Sequence, residues 1–134
     1  YGPKQSEDFV MSKFISLAIK NKNIPIYGDG LQTRTFCYID DNVDACVKSF
    51  YSNQYINDVV NIGGDVEITM LDLAKLIIRL TDSKSKIVFM PPLEEGDMMR
   101  RFPDISKMRK LLKRQPLSIE NGIVEILQKS VLMK

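Results

Sequence analysis

Apolar positions recur at helical spacing in five segments of the chain. The first is predicted over about Ser6–Lys20, where Val10, Phe14, Leu17 and Ala18 share one face. The apolar positions of the other four segments are, in chain order, Val43, Cys46, Val47 and Phe50; Met70, Leu73, Ala74, Ile77 and Leu80; Ile105, Met108, Leu111 and Leu112; and Ile119, Ile123, Ile126 and Leu127. The pattern predicts five amphipathic helices.

Polar residues mark where these helices begin. Asp41, with Asp44 three residues later, is predicted to cap the second helix, and Thr69 with Asp72 forms a capping box before the third. The pair Pro103-Asp104 precedes the fourth helix, and Ser118 precedes the last.

Short apolar runs between the helices predict strands. They are Ile24–Tyr27, Thr35–Ile39, Val59–Ile62 and Lys86–Met90, the last ended by Pro91-Pro92. The fold class is therefore α/β, helices with a few short strands. Because the strands are few and short for five helices, we expect part of their sheet to come from outside these residues.

Composition and charge narrow the class of protein. The 134 residues, 44% hydrophobic and 27% charged, are typical of a globular protein, with residues 1–134 as one domain. No apolar run approaches the roughly 20 residues that span a bilayer, so we expect no membrane segment and a cytoplasmic location. Because Tyr1-Gly2-Pro3 is not a natural start, we expect the chain to be a piece of a longer protein.

Several kinds of site are disfavoured. The chain has no histidine, and Cys37 and Cys46 lack metal-ligand spacing, so we expect no metal site and no Ser-His or Cys-His nucleophile. A net charge of +2 does not favour nucleic-acid binding. The basic cluster over residues 107–114 shares its segment with helically spaced apolar residues, which predicts a solvated helix face.

The segment from Tyr27 to Arg34 is the first candidate for binding. It places a Gly28-Asp29-Gly30 turn before Arg34 at the start of a strand. An arginine beside a glycine turn suits a phosphate or carboxylate. The alternative is a simple hairpin turn with Arg34 as a solvated surface residue.

Two adjacent arginines form the second candidate. Arg100 and Arg101 lie in a predicted extended stretch, so at most one of them faces a given ligand. Together with Arg34, such a residue could clamp a diphosphate. The alternative for the pair is an ion pair with Glu94, Glu95 or Asp97. Tyr27 is expected either beside a base ring or in half-buried strand packing.

Groups for dinucleotide binding and proton transfer are not recognisable here. Gly28 and Gly30 lack a third glycine at position 33, which is Thr33, and a strand is predicted after them instead of a helix. The chain also contains no Tyr-x-x-x-Lys pair.

The order of several motifs resembles one family across essentially the whole chain. These motifs are Tyr1-Gly2-Pro3, the run Ile24–Asp41, Asn61-Ile62-Gly63 with Thr69, and Gly96-Asp97 followed by Asp104-Ile105-Ser106-Lys107. They resemble the C-terminal portion of the extended short-chain dehydrogenase/reductases, the NAD-dependent epimerases, dehydratases and decarboxylases of nucleotide-diphosphate sugars.

This resemblance implies a fold and a separate role for each of the enzyme's two parts. It implies an N-terminal Rossmann half, missing here, that holds NAD and the catalytic tyrosine, so we expect no cofactor and no catalytic residue on these residues. It implies diphosphate contacts by Arg34 and Arg101, a base wall at Pro25–Tyr27, and Val10 near the phosphates. Many relatives have arginine where this chain has Glu94. The full-length enzyme is expected to be a homodimer.

The motifs Thr35–Asp41 and Arg101–Ser106 are most similar to UDP-glucuronate decarboxylases, which make UDP-xylose. A 4-epimerase or 4,6-dehydratase is the alternative within the family. A stand-alone binding module, or a fragment that self-associates through an exposed apolar face, is the alternative outside it.

Overall fold

The computed structural model describes residues 1–93 and 98–132. Within these described residues, five helices and four short strands follow one another. They are α1 (Val10–Ile19), β1 (Ile24–Tyr27), β2 (Thr33–Arg34), α2 (Ile39–Ser52), β3 (Ile68–Thr69), α3 (Met70–Leu80), β4 (Ile87–Met90), α4 (Ser106–Leu112) and α5 (Ile119–Leu132). The predicted α/β class and the five helices are confirmed. Among the described residues, no helix is both long and apolar enough to cross a bilayer.

The strands form two separate pairs. β1 runs parallel to β4, with Ile24 opposite Ile87 and Tyr27 opposite Met90. β2 runs antiparallel to β3, with Arg34 opposite Ile68. Consecutive strands β1 and β2 therefore lie in different sheets, and the Gly28–Gly30 turn carries the chain from one sheet to the other.

The main core lies between α1, β1, α3 and α5. Its buried members come from one face of each of these helices, from the inward positions of β1, and from Tyr38 at the N-cap of α2. They are Met11, Phe14, Ile15, Ala18, Ile24, Ile26, Tyr38, Met70, Leu73, Ala74, Ile77, Ile123 and Ile126. The predicted inward faces of α1, α3 and α5 are thus largely right.

The predicted inward face of α2 is wrong. Val43, Val47 and Phe50 are 52%, 48% and 79% exposed, and Cys46 is exposed as well. Ala45 is fully buried instead, against Met108 and Leu112 of α4. Helical spacing identified an apolar face, but only tertiary packing determines which face of a helix is covered.

The predicted cap of α2 also differs. Tyr38 is the N-cap residue, and Asp41 lies inside the first turn, 2% exposed. Its carboxylate accepts hydrogen bonds from Arg114 and from the Leu117 backbone nitrogen, the latter at 2.7 Å. Asp41 therefore ties α2 to the segment between α4 and α5.

Two predicted strands are absent from the described residues. The segment Thr35–Ile39 is irregular up to Tyr38, because the ladder with β3 ends at Arg34. The segment Val59–Ile62 has no strand partner, and Val59 is 75% exposed. The predicted strand Lys86–Met90 is present as Ile87–Met90.

Three of the predicted helix starts are supported. Thr69 caps α3, since its Oγ1 accepts a hydrogen bond from the Asp72 nitrogen at 3.0 Å. The hydroxyl of Ser118 accepts one from the Asn121 nitrogen at 3.2 Å. Asp104 lies one residue before the N-cap position of α4, and its Oδ1 accepts from the Ser106 nitrogen at 2.8 Å.

Candidate functional site

A cavity of about 940 Å³ lies where the start of α1, β1, β2 and the segment 101–103 meet. Five of the six residues predicted to bind a ligand line it. They are Val10, Pro25, Tyr27, Arg34 and Arg101. The volume is at the upper end of what small-molecule and cofactor sites usually enclose. Sequence positions from four separate segments therefore converge on one space.

One wall of the cavity is β1. Alternation along this strand buries Ile24 and Ile26 in the core and leaves Tyr27 37% exposed. Pro25, Ile26 and Tyr27 all line the cavity. Tyr27 thus combines partial burial with an accessible ring.

Glycine is required where the chain leaves this wall. Gly28 and Gly30 have φ values of +67° and +75°. A Cβ at Gly30 would also lie 2.8 Å from Ile26 Cγ2. The turn therefore depends on glycine for conformation and, at Gly30, for space as well.

Arg34 enters the cavity from β2. The neighbouring ladder fixes its backbone, and its Nη1 donates to the Met98 carbonyl at 2.5 Å and to the Thr33 carbonyl at 2.8 Å. The hairpin alternative is wrong, because β1 pairs with β4 and β2 pairs with β3. Arg34 is a lining residue of the cavity and is only partly exposed.

Arg100 and Arg101 point to different places, as alternation predicted. Arg101 lines the cavity, whereas Arg100 is not among the lining residues. Arg100 instead pairs with Glu67, at 2.8 Å from both its Nε and its Nη2. Arg100 is thus held outside the cavity lining by Glu67, and its role as a ligand contact stays a prediction. The acidic partners considered for it, residues 94, 95 and 97, lie outside the described residues.

The charge lining the cavity suits an anionic ligand. Its described charged side chains are Arg34, Arg101, Lys13 and Asp8, so cations outnumber carboxylates. The first turn of α1 also borders the cavity through Val10 and Met11. A helix N-terminus presents backbone N–H groups and a partial positive charge, which adds to the same preference.

Gln32 is a residue that the sequence analysis missed. It lines the cavity, is 8% exposed, and donates from Nε2 to the Tyr27 carbonyl at 3.1 Å. Its position two residues before Arg34 is a signal that could have found it, because residues i and i+2 of an extended segment share a face. Asn42 and Cys37 also line the cavity and were not predicted as ligand contacts.

The described residues do not fit NAD or a metal cluster. The Gly28–Gly30 turn leads into β2 and not into a helix whose N-terminus would receive a pyrophosphate. Within residues 1–93 and 98–132, no group of three or more metal-ligating side chains is found.

Comparison with known proteins identifies the family. Residues 1–63 match the model of the NAD dependent epimerase/dehydratase family. UDP-glucuronic acid decarboxylase 1 of Danio rerio is 39% identical over 120 residues, which is 89% of this chain and 28% of that protein. The chain belongs to the NAD-dependent epimerase/dehydratase family. The resemblance to extended short-chain dehydrogenase/reductases is thereby confirmed.

Solved structures of this family share the fold. The UDP-glucuronic acid 4-epimerase of Bacillus cereus, in complex with UDP-glucuronic acid and NAD, superposes with a TM-score of 0.83 and 30% identity, over 96% of this chain and 42% of that one. The dTDP-glucose 4,6-dehydratase of Bacillus anthracis str. Ames, in complex with NAD, gives a TM-score of 0.83 and 27% identity, over 96% and 40%.

The match to family members is partial in length. This chain spans 28% of the decarboxylase and 42% of the epimerase, and it corresponds to the C-terminal part of these Rossmann-type enzymes.

Proposed function

We propose that residues 1–134 form the nucleotide-sugar-binding part of an NAD-dependent enzyme that acts on a nucleotide-diphosphate sugar through a 4-keto intermediate. The observation that carries the proposal is the convergence of Arg34, Arg101, Tyr27, Pro25 and Val10 on one cavity. The two guanidinium groups would bind the diphosphate, and the β1 wall would border the base. In this role the chain binds and orients its ligand, and NAD and the catalytic tyrosine belong to the rest of the enzyme.

For the reaction itself we propose UDP-glucuronate decarboxylation, which yields UDP-xylose. The similarity to the Danio rerio decarboxylase favours this choice. The alternatives within the family are 4-epimerisation and 4,6-dehydration, as the names of the two structural neighbours indicate. Incubation of the full-length enzyme with UDP-glucuronate labelled at the carboxyl carbon separates decarboxylation from 4-epimerisation. Release of labelled CO2 supports the decarboxylase, and retention of the label in an epimerised product contradicts it.

Binding is tested at Arg34. Truncation in Arg34→Ala removes charge-assisted hydrogen bonds, so we expect UDP affinity of the full-length enzyme to fall about 10- to 100-fold by titration calorimetry. Arg79→Ala is the matched control, because Arg79 is exposed, pairs with Glu120 and is not a lining residue. Equal UDP affinities for wild type and Arg34→Ala would remove the role assigned to Arg34.

We also infer that the remaining part of the enzyme covers the apolar face of α2. Ile39, Val43, Val47 and Phe50 are spaced three or four residues apart and all are exposed. If another part of the enzyme covers this apolar face, the 134 residues do not act as a stand-alone binding module. We expect the isolated 134-residue chain to self-associate in light scattering, and Val47→Glu to reduce that association. A clean monomer of the unaltered chain would contradict the inference. A homodimeric full-length enzyme and a cytoplasmic location stay predictions.

A further inference from the structure

Glu67 contacts two segments that carry the site arginines. Its carboxylate accepts two parallel hydrogen bonds from Arg100, both of 2.8 Å, and one from the Thr33 hydroxyl, also of 2.8 Å. Thr33 directly precedes Arg34, and Arg100 directly precedes Arg101. One carboxylate thus touches the neighbour of each cavity arginine.

The backbone arrangement around Glu67 is equally specific. Glu67 directly precedes β3, whose Ile68 pairs with Arg34. Thr33 forms an isolated parallel bridge with Arg100, and its nitrogen donates to the Met99 carbonyl at 2.8 Å. The segment 98–102 has no strand of its own, so this bridge and the Glu67 contacts set which way its side chains point.

Because neighbouring side chains of an extended segment point to opposite sides, the Glu67–Arg100 contact also determines the direction of Arg101. When Arg100 is held on the side of Glu67, its neighbour Arg101 is directed to the opposite side, which is the cavity. A bidentate contact between a guanidinium and a carboxylate fixes direction as well as distance.

The same pair contributes little to stability. The side chains of Arg100 and Glu67 are 66% and 27% exposed, and ion pairs with such exposure contribute little to the free energy of unfolding because water screens them. The hydrogen bonds from Arg100 and then from Thr33 hold the pKa of Glu67 below its ordinary value, so the carboxylate stays charged in more acidic solution than an ordinary glutamate does. Both members of the pair are therefore charged, while the pair contributes little to the free energy of unfolding.

We propose that Glu67 is a positioning residue for nucleotide-diphosphate binding: through Arg100 and Thr33 it holds Arg101 and Arg34 in the cavity. The inference rests on the proposed function, since it assigns the two arginines to a diphosphate. Glu67 and Arg100 themselves do not line the cavity.

The test compares UDP with uridine in the full-length enzyme. Glu67→Gln keeps the shape of the side chain but places an NH2 group against the Arg100 donors. We expect its UDP affinity to fall about tenfold, by loss of oriented charge-assisted contacts, while uridine affinity changes less than about twofold. Asp65→Asn is the matched control, because Asp65 pairs with Arg109 at 2.7 Å with exposures of 24% and 50%, away from the cavity.

A double-mutant cycle tests whether the pair acts as a unit. Arg100→Gln should reproduce the loss of Glu67→Gln, and the double variant should lose about tenfold and not about a hundredfold. Arg100→Lys keeps the charge without the fork, so it should resemble Arg100→Gln. If Glu67→Gln fails to fold, the Arg100 variants carry the test alone.

The outcomes separate the two claims. Unchanged UDP affinity in Glu67→Gln, an equal loss for uridine and UDP, or the same loss in Asp65→Asn overturns the positioning role. In each of these cases, the proposed nucleotide-sugar binding is still supported if Arg34→Ala lowers UDP affinity by the expected factor of about 10 to 100. Absence of UDP binding by the unaltered enzyme overturns both.

Discussion

The side-chain nitrogen of Gln32 donates a 3.1 Å hydrogen bond to the carbonyl of Tyr27. The backbone carbonyl of Gln32 in turn accepts from the Met70 nitrogen at 3.2 Å. One buried residue therefore connects the end of β1, which is the proposed base wall, to the first residue of α3. The amide is the part of Gln32 that makes the contact to the wall.

The first prediction follows from that contact. Gln32→Met keeps the size of the side chain but removes the donor to Tyr27, so we expect the free energy of unfolding to fall by about 1 to 2 kcal/mol. We also expect uridine and UDP affinities to fall together, because the wall and not the diphosphate site is loosened. Urea unfolding and calorimetry measure the two effects. Gln54→Met, at an exposed position, is the control, and an equal loss in both variants would contradict the prediction.

The second prediction concerns two adjacent aspartates in the first turn of α2. Asp41 is buried and accepts from Arg114 and the Leu117 nitrogen, whereas Asp40 is exposed. Asp41→Asn places an amide NH2 against these donors, so we expect a loss of about 2 to 3 kcal/mol in urea unfolding. Asp40→Asn removes the same charge from the same first turn of the helix, and should cost less than about 0.5 kcal/mol. Similar losses at the two positions would show that helix-end charge, and not the buried contact, is responsible.

The difference between these aspartates also shows where the sequence is informative. Spacing predicted a helix here and an acidic start, and both are present. It placed Asp41 as the cap and Val47 on the buried face, and both placements are wrong, because Arg114 and the α4 surface determine what α2 buries.

The same limit applies to the candidate site. Arg34 was predicted from a local signal, the glycine turn, and it lines the cavity. Alternation predicted only that at most one of Arg100 and Arg101 faces a ligand, and the family resemblance pointed to Arg101, which also lines the cavity. Glu67 was not predicted, since its partners Thr33 and Arg100 are 34 and 33 residues away in sequence. Contacts of that separation become visible only when β2, β3 and the segment 98–102 are assembled.

The third prediction compares two glycines with left-handed backbones. Gly28→Ala meets only Pro92 Cβ at 3.8 Å, so its cost is the backbone strain of about 1 kcal/mol. Gly30→Ala would place its Cβ 2.8 Å from Ile26 Cγ2 and 3.2 Å from Leu71 Cβ. Overlap with two core-packed side chains adds to the strain, and we expect a total loss of about 3 kcal/mol. Thermal or urea unfolding of both variants checks the order, and a larger cost at Gly28 would contradict it.

The last prediction uses the two thiols as reporters of the cavity. Burial, followed by the nearby Asp41 carboxylate, raises the pKa of the Cys37 thiol to about 11, and Cys37 lines the cavity. Cys46 is exposed on α2. Because only the thiolate is nucleophilic, iodoacetamide at pH 8 should label Cys46 and spare Cys37.

At higher pH, labelling of the Cys37 thiol can report whether UDP occupies the cavity. The raised pKa means that the Cys37 thiolate fraction grows as the pH approaches about 11, so labelling in a Cys46→Ser variant should accelerate between pH 8 and pH 10. UDP bound in the cavity should slow that labelling, whereas in Cys37→Ser it should leave the labelling of Cys46 unchanged. Mass spectrometry of the labelled peptides measures both rates. If Cys37 reacts at pH 8 as fast as Cys46, its burial is refuted, and if saturating UDP protects neither thiol, the ligand lies elsewhere than the cavity lined by Cys37.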